Sequence, residues 1–168
     1  MKIDTTKMNF HSTFKPQLIY VSRLLKLAGQ MYSGDERSIS DITGIPTGES
    51  SGKVVPHLYY AKFMGLIDFV LKDKVYNLSL TNFGKIVLQE DPNIIEDITK
   101  VILNYNIADI SEGAPHWSYL YRVFNWNYNQ EYNIKNIQRD LEEYTGKNNC
   151  KMTVVKKSYE SECFENLR

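Results

Sequence analysis

Residues 48 to 53 read Gly-Glu-Ser-Ser-Gly-Lys, a glycine-bearing stretch ending in lysine of the sort that can cradle phosphate. A nucleotide loop of that kind runs G-x-x-x-x-G-K-[ST]: backbone N–H groups surround the phosphates and the last hydroxyl holds Mg²⁺. Here Gly48 and Gly52 stand one residue too close, and Val54 occupies the hydroxyl position. The loop must also leave a buried strand, whereas "SISDITGIP" before it reads as a capped helix. An NTP hydrolase is therefore set aside. The same residues suit the turn between two helices of a DNA-binding motif.

Other reactive side chains do not assemble in the sequence. A nuclease holds metal ions on clustered carboxylates; the acids here are dispersed, and no D-x-n-E-x-K pattern follows a strand pair. His11, beside Ser12 and Thr13, has no acidic neighbour in sequence that would make it a base, so it reads as part of a packing or capping segment. His116-Trp117 after Pro115 reads as a tryptophan anchoring a helix start in the core. Cys150 and Cys163 lack a cationic cluster that would lower a thiol pKa, and no CxxC occurs. They read as reduced thiols of an unsecreted chain. The three histidines are scattered, so four converging zinc ligands are not expected. Arg139, Asp140, Glu142 and Glu143 read as a solvated helix face. The twelve tyrosines are spread along the chain and read as core rather than base-stacking residues. No catalytic residue, metal or cofactor is expected. A non-enzymatic protein is the expectation, with a nuclease as the alternative.

The elements follow from periodicity. Leu18, Val21, Leu24, Leu25 and Ala28 recur at helical spacing after Pro16 and stop near Gly29. "YSGDER" reads as a loop, Ser38 as the N-cap of a short helix ending at Gly44, and residues 45–51 as a turn. A second helix is expected from residue 52 or 53 to Met64, with Pro56 near its first turn and Gly65 ending it. Ile67 to Leu71 and Val75 to Leu80 read as strands joined by a tight polar turn. Thr81 caps a further helix that stops before Pro92. Apolar stripes at 94–105, 117–126 and Ile134, Ile137, Leu141 predict more helix. The asparagine-rich stretch around 125–133 reads as a loop, and the end of the chain has no clear period.

Helix, glycine turn, helix and two-stranded hairpin is the order of a winged helix. The fold expected is thus α+β and mainly helical: a winged helix-turn-helix over 1–92 packed on a helical region, 93–168, as one compact unit. Val54, Leu58, Ala61 and Met64 would face inward. Lys53, His57, Tyr60 and Lys62 would face outward, where a helix can enter the major groove. Lys53 and Lys62 would neutralise phosphates, and His57 or Tyr60 would touch a base edge or sugar. Ser50 and Ser51, with the N–H groups opening the helix, would hold a phosphate. Lys72 and Lys74 on the wing would reach the next backbone or the minor groove. The alternative is a protein–protein adaptor without nucleic-acid contact, using Tyr59, Phe63 and the helical region.

Bulk properties bound both. The 168 residues suit one domain or two small ones, and 42% hydrophobic content is enough for a core. The formal net charge is zero, against a strongly electrostatic nucleic-acid binder overall, although local charge matters more. Residues 1–40 carry six Lys or Arg against three acids. No run approaches the roughly 20 apolar residues of a membrane span, and no secretory leader opens the chain. A cytoplasmic location follows as the expectation.

Three stretches carry a resemblance: "FHSTFKPQLIYVSRLLKLA"; "GKVVPHLYYAKFMGLI" with "YNLSLTNFGKIVLQEDP"; and "GAPHWSYLYRVFN". Together with "SYESECFENL" they are similar to an uncharacterised bacterial family. In it a Phe-His-x-Thr-Phe motif precedes a winged-helix-like segment, an LT-x-x-G helix start and a tryptophan-containing helical block ending in Asn. The family usually has an acid where Ser12 stands, and many members are longer. Its genes often lie near DNA phosphorothioate-modification or phage-defence genes. The resemblance implies a role around DNA modification, with duplex DNA and other proteins of such a system as partners. It assigns no catalytic residue and leaves oligomeric state open.

Overall fold

The computed structural model describes residues 8–12, 14–48, 52–126 and 133–146. The first helix, α1 (Leu18–Gly29), buries Val21, Leu24, Leu25 and Ala28, the stripe the spacing predicts. Pro16 stands just before the N-cap Gln17 rather than inside the helix.

Tyr-Ser-Gly-Asp-Glu-Arg is not wholly loop. Ser33–Gly34 form a short strand, β1. The second helix, α2 (Glu36–Thr43), starts earlier than Ser38 because Asp35 is its cap: the Asp35 carboxylate accepts the Ser38 N–H at 2.8 Å. An acid three residues ahead satisfies an otherwise orphaned donor, so the helix gains that turn. Gly44 closes it at φ 67°.

Helix α3 (Val54–Phe63) carries Pro56 at its third position, where no intrahelical N–H bond is lost. Strands β2 (Ile67–Lys72) and β3 (Val75–Leu80) pair antiparallel, Ile67 opposite Leu80 and Lys72 opposite Val75. Asp73 and Lys74 both take positive φ, as a two-residue hairpin turn matched to strand twist requires. β1 pairs on the other side of β3, Ser33 opposite Asn77, so the sheet order is β1-β3-β2.

Thr81 caps α4 (Asn82–Glu90) by accepting the Gly84 N–H at 2.8 Å. Gly84 itself touches the β2 side closely: a Cβ there would lie 1.8 Å from the Leu66 carbonyl oxygen. Helix α5 (Asp97–Ile107) buries Thr99, Leu103, Asn104 and Ile107. A short helix α6 (Pro115–Ser118) runs into a π-helical turn (Tyr119–Val123), and α7 (Ile134–Thr145) buries Ile137 and Leu141.

The architecture is mixed α+β: helices around a small three-stranded antiparallel sheet. The main core runs from Phe10 through α1, α3 and the hairpin to Ile94, Leu103, Ile107 and Trp117. A second cluster joins Met8, Tyr119, Leu120, Ile137 and Leu141.

Candidate nucleic-acid interface

Helix α3 is apolar on nearly every side, the pattern of a buried helix rather than of one with a broad solvent face. Val54, Leu58, Ala61 and Met64 point inward as expected, each 0% exposed. None of the ten helix residues is exposed, and only Val55, Tyr59 and Lys62 are half-buried.

His57 and Tyr60 do not lie on an outward face, contrary to the sequence expectation; both are fully buried. The cause is the segment before α1. The ring of Phe10 packs edge-on against Tyr60 and Phe63, each at 4.9 Å. The Tyr60 hydroxyl donates to the Phe14 carbonyl at 2.7 Å, and Trp117 meets the Tyr60 ring edge-on at 5.6 Å. Helical spacing assigns one inward stripe but cannot show that a distant segment covers the opposite side.

His57 is held from both ring nitrogens. Nε2 accepts the Gln17 N–H at 3.1 Å, and Nδ1 lies 2.7 Å from the Lys53 carbonyl, to which it donates in the neutral tautomer. Burial pushes its pKa down to about 4, with the Lys53 charge adding to the shift. This is a neutral structural histidine joining the N-terminal segment to α3.

The lysines divide by setting. Lys62 is ion-paired with Asp68 and lies 5.3 Å above the Phe69 ring. Lys53, at the start of α3, lies over the rings of Phe14 and Tyr20 at 5.5 and 5.8 Å. Lys72 and Lys74 are exposed at the hairpin tip, with Asp73 between them. Val70 and Leu71 beside them are 66% and 51% exposed. Ser50 and Ser51 lie outside the described residues. The neighbouring chain is closed by hydrogen bonds from the Gly52 N–H to the Gly48 carbonyl and from Lys53 N–H to that of Pro46. The element before this loop is the helix α2, where a nucleotide loop needs a strand.

The sequence readings did not identify Phe10, Phe14 and Tyr20 as the cladding of α3. Their one signal was the aromatic spacing in Phe-His-Ser-Thr-Phe. His11 and His116 are buried with Trp117, their imidazoles 4.9 Å apart. Burial, aided by His11, holds the His116 pKa well below the usual histidine range. Among the described residues, no hydrogen-bond partner meets either His116 ring nitrogen and no acid orients it as a base. Among the described residues no group of three or more His, Cys, Asp or Glu could hold a metal ion. Nor is any described helix long and apolar enough to cross a membrane.

The chain has a solved likeness. A magnesium ion-bound SspB crystal structure matches it with a TM-score of 0.68 and 13% identity. The fold resembles that of SspB. The match covers 90% of this chain and 47% of that one, so the chain spans about half the length of SspB. At that identity the likeness concerns the backbone arrangement alone, and the magnesium ion is SspB's. No protein-family model matches the chain, and no curated protein matches it.

Proposed function

We propose that residues 18–80 form a winged helix and that the protein is a non-enzymatic, DNA-contacting accessory of a bacterial DNA-modification or phage-defence system. The observation that carries this is the order α1-β1-α2-α3-β2-β3 with β1 added to β3, which leaves the β2–β3 tip projecting with Lys72 and Lys74 exposed. A winged helix places such a hairpin beside the DNA backbone. The family resemblance in Phe-His-Ser-Thr-Phe and the later blocks supports the modification or defence setting.

The contact surface follows the charges left available. Lys53 and the wing lysines Lys72 and Lys74 reach phosphates; Lys62 is neutralised by Asp68, and His57 and Tyr60 are inside. Three phosphate contacts predict a log–log salt slope of about −2.7, so affinity falls about 40-fold between about 50 and 200 mM salt.

The test is fluorescence anisotropy of a labelled random duplex across that range. Lys72→Gln with Lys74→Gln should weaken binding uniformly over sequences and flatten the slope by about 1.8. A double variant that binds with the parent's affinity and slope removes the wing from the interface. No binding at about 50 mM salt removes duplex DNA altogether. A protein–protein adaptor is then the reading to adopt, favoured by one observation: Val70 and Leu71 stand exposed on the same hairpin.

A further inference from the structure

The outer face of α1 carries Ile19, Arg23, Lys26 and Gln30, all exposed and spaced by four, three and four residues. It holds two cations and no acid, and residues 5–34 contain no Asp or Glu at all. Lys53 joins the same patch from the start of α3. Its ammonium and the Arg23 guanidinium each lie 5.8 Å from the centroid of the half-buried Tyr20 ring, so one ring anchors both.

The α1 cations are positioned without being neutralised. Arg23 Nη1 donates to the Thr43 carbonyl at 3.0 Å, and Lys26 Nζ donates to Asn93 Oδ1 at 2.7 Å. Both acceptors are uncharged, and each side chain keeps further N–H donors. Among the described residues no carboxylate pairs with Arg23, Lys26 or Lys53. Arg23, Lys26 and Gln30 line a cleft of about 260 Å³ whose other wall is Ile42 and Thr43 of α2, with room for a phosphate group. The wing differs: Asp73 stands between Lys72 and Lys74, and Asp35 and Glu36 line the same cleft as Lys74. Positive charge is therefore less compensated over α1 than at the wing.

We propose that this face of α1 is a second phosphate-contact surface for duplex DNA, on which Arg23 and Lys26 continue the contact begun by Lys53 along one strand; this rests on the DNA-contacting reading above. Arg23 and Lys26 stand about 4.5 Å apart along the helix axis, close to the roughly 3.4 Å of duplex axis per phosphate on one strand. Phosphate contacts of this kind fix a protein's position on the duplex without reading bases.

The salt dependence of duplex binding, read by anisotropy on the labelled random duplex, tests this. Arg23 and Lys26 raise the phosphate contacts from three to five, so the log–log slope should be about −4.5 and affinity should fall about 500-fold between about 50 and 200 mM salt. Arg23→Gln with Lys26→Gln should return the slope to about −2.7 and the fall to about 40-fold. Because Arg23 also ties α1 to α2, Arg23→Lys with Lys26→Arg is the second variant: it keeps both charges and should keep the parent's slope. A parent slope near −2.7 overturns the proposal, as does a glutamine variant that keeps the parent's slope. Equal loss in the charge-keeping variant also overturns it, since the pair would then act through the fold. In each of these cases the wing variant still weakens binding if the DNA-contacting reading holds, so the two failures are separable. No parent binding at about 50 mM salt overturns both, and leaves the α1 face to an acidic protein.

Discussion

Acid should unfold this protein in a pH window set by His57, before its carboxylates titrate. The imidazole is fully buried, bound by the Gln17 N–H and the Lys53 carbonyl, and its pKa falls from 6.5 to about 4. The unfolded chain therefore takes up a proton that the folded chain refuses. Stability is fully present above pH 6.5 and is lost as pH falls towards 4. The whole depression corresponds to about 3 kcal/mol, of which about 2 kcal/mol is already lost between pH 7 and pH 4.5. Asp35, Asp91 and Asp109 have pKa values lowered from 3.8, so their contribution is lost only at more acid pH. His116 is also depressed, which makes the parent's total loss a poor measure of His57 alone. The comparison is therefore with His57→Gln, an uncharged side chain that can still donate and accept. Urea unfolding followed by tryptophan fluorescence at the two pH values gives each protein's loss. The parent should lose about 2 kcal/mol more than the variant. Equal losses would refute the assignment of His57 as a neutral clamp.

Two further substitutions test how the hairpin is held. Gly84→Ala should fail to fold or be destabilised by about 3 kcal/mol or more, since its Cβ would fall 1.8 Å from the backbone oxygen of Leu66; a thermal melt unchanged from the parent would contradict that approach. Thr81→Ala removes the α4 cap and the hydroxyl's bonds to the Gly65 and Leu66 carbonyls. It should cost about 1 to 2 kcal/mol in urea unfolding, with an unchanged circular-dichroism spectrum.

What was legible in the sequence had a local cause. The α1 stripe, the hairpin and its tight turn, the Thr81 cap and the end of α2 at Gly44 each follow from residues within a few positions of one another. What was not legible depended on distance in the chain. β1 has two residues, too few for alternation, and is a strand only because β3 offers an edge. The α2 start moved because two potential caps, Asp35 and Ser38, compete within one turn, and the earlier one satisfies the later one's N–H. The outward positions on α3 went astray for the same reason: Phe10 and Phe14 lie more than forty residues from Tyr60, and no periodicity within α3 registers them. Of the proposed contact residues, the burial of His57 and Tyr60 was therefore the part invisible from spacing, while the exposure of Lys74 followed from its place in the two-residue turn and that of Lys72 from its place beside it at the end of β2.

That burial has a consequence for recognition. Base edges are read by side chains that reach into a groove, most often several from one helix face. The half-buried face of α3 offers Val55, Tyr59 and a lysine already paired with Asp68. A duplex held by Lys53 and the wing would be engaged through phosphates, which position a protein without reporting sequence. Discrimination between random duplexes of equal length should then be small, and any preference would have to arise from the shape or chemistry of the backbone.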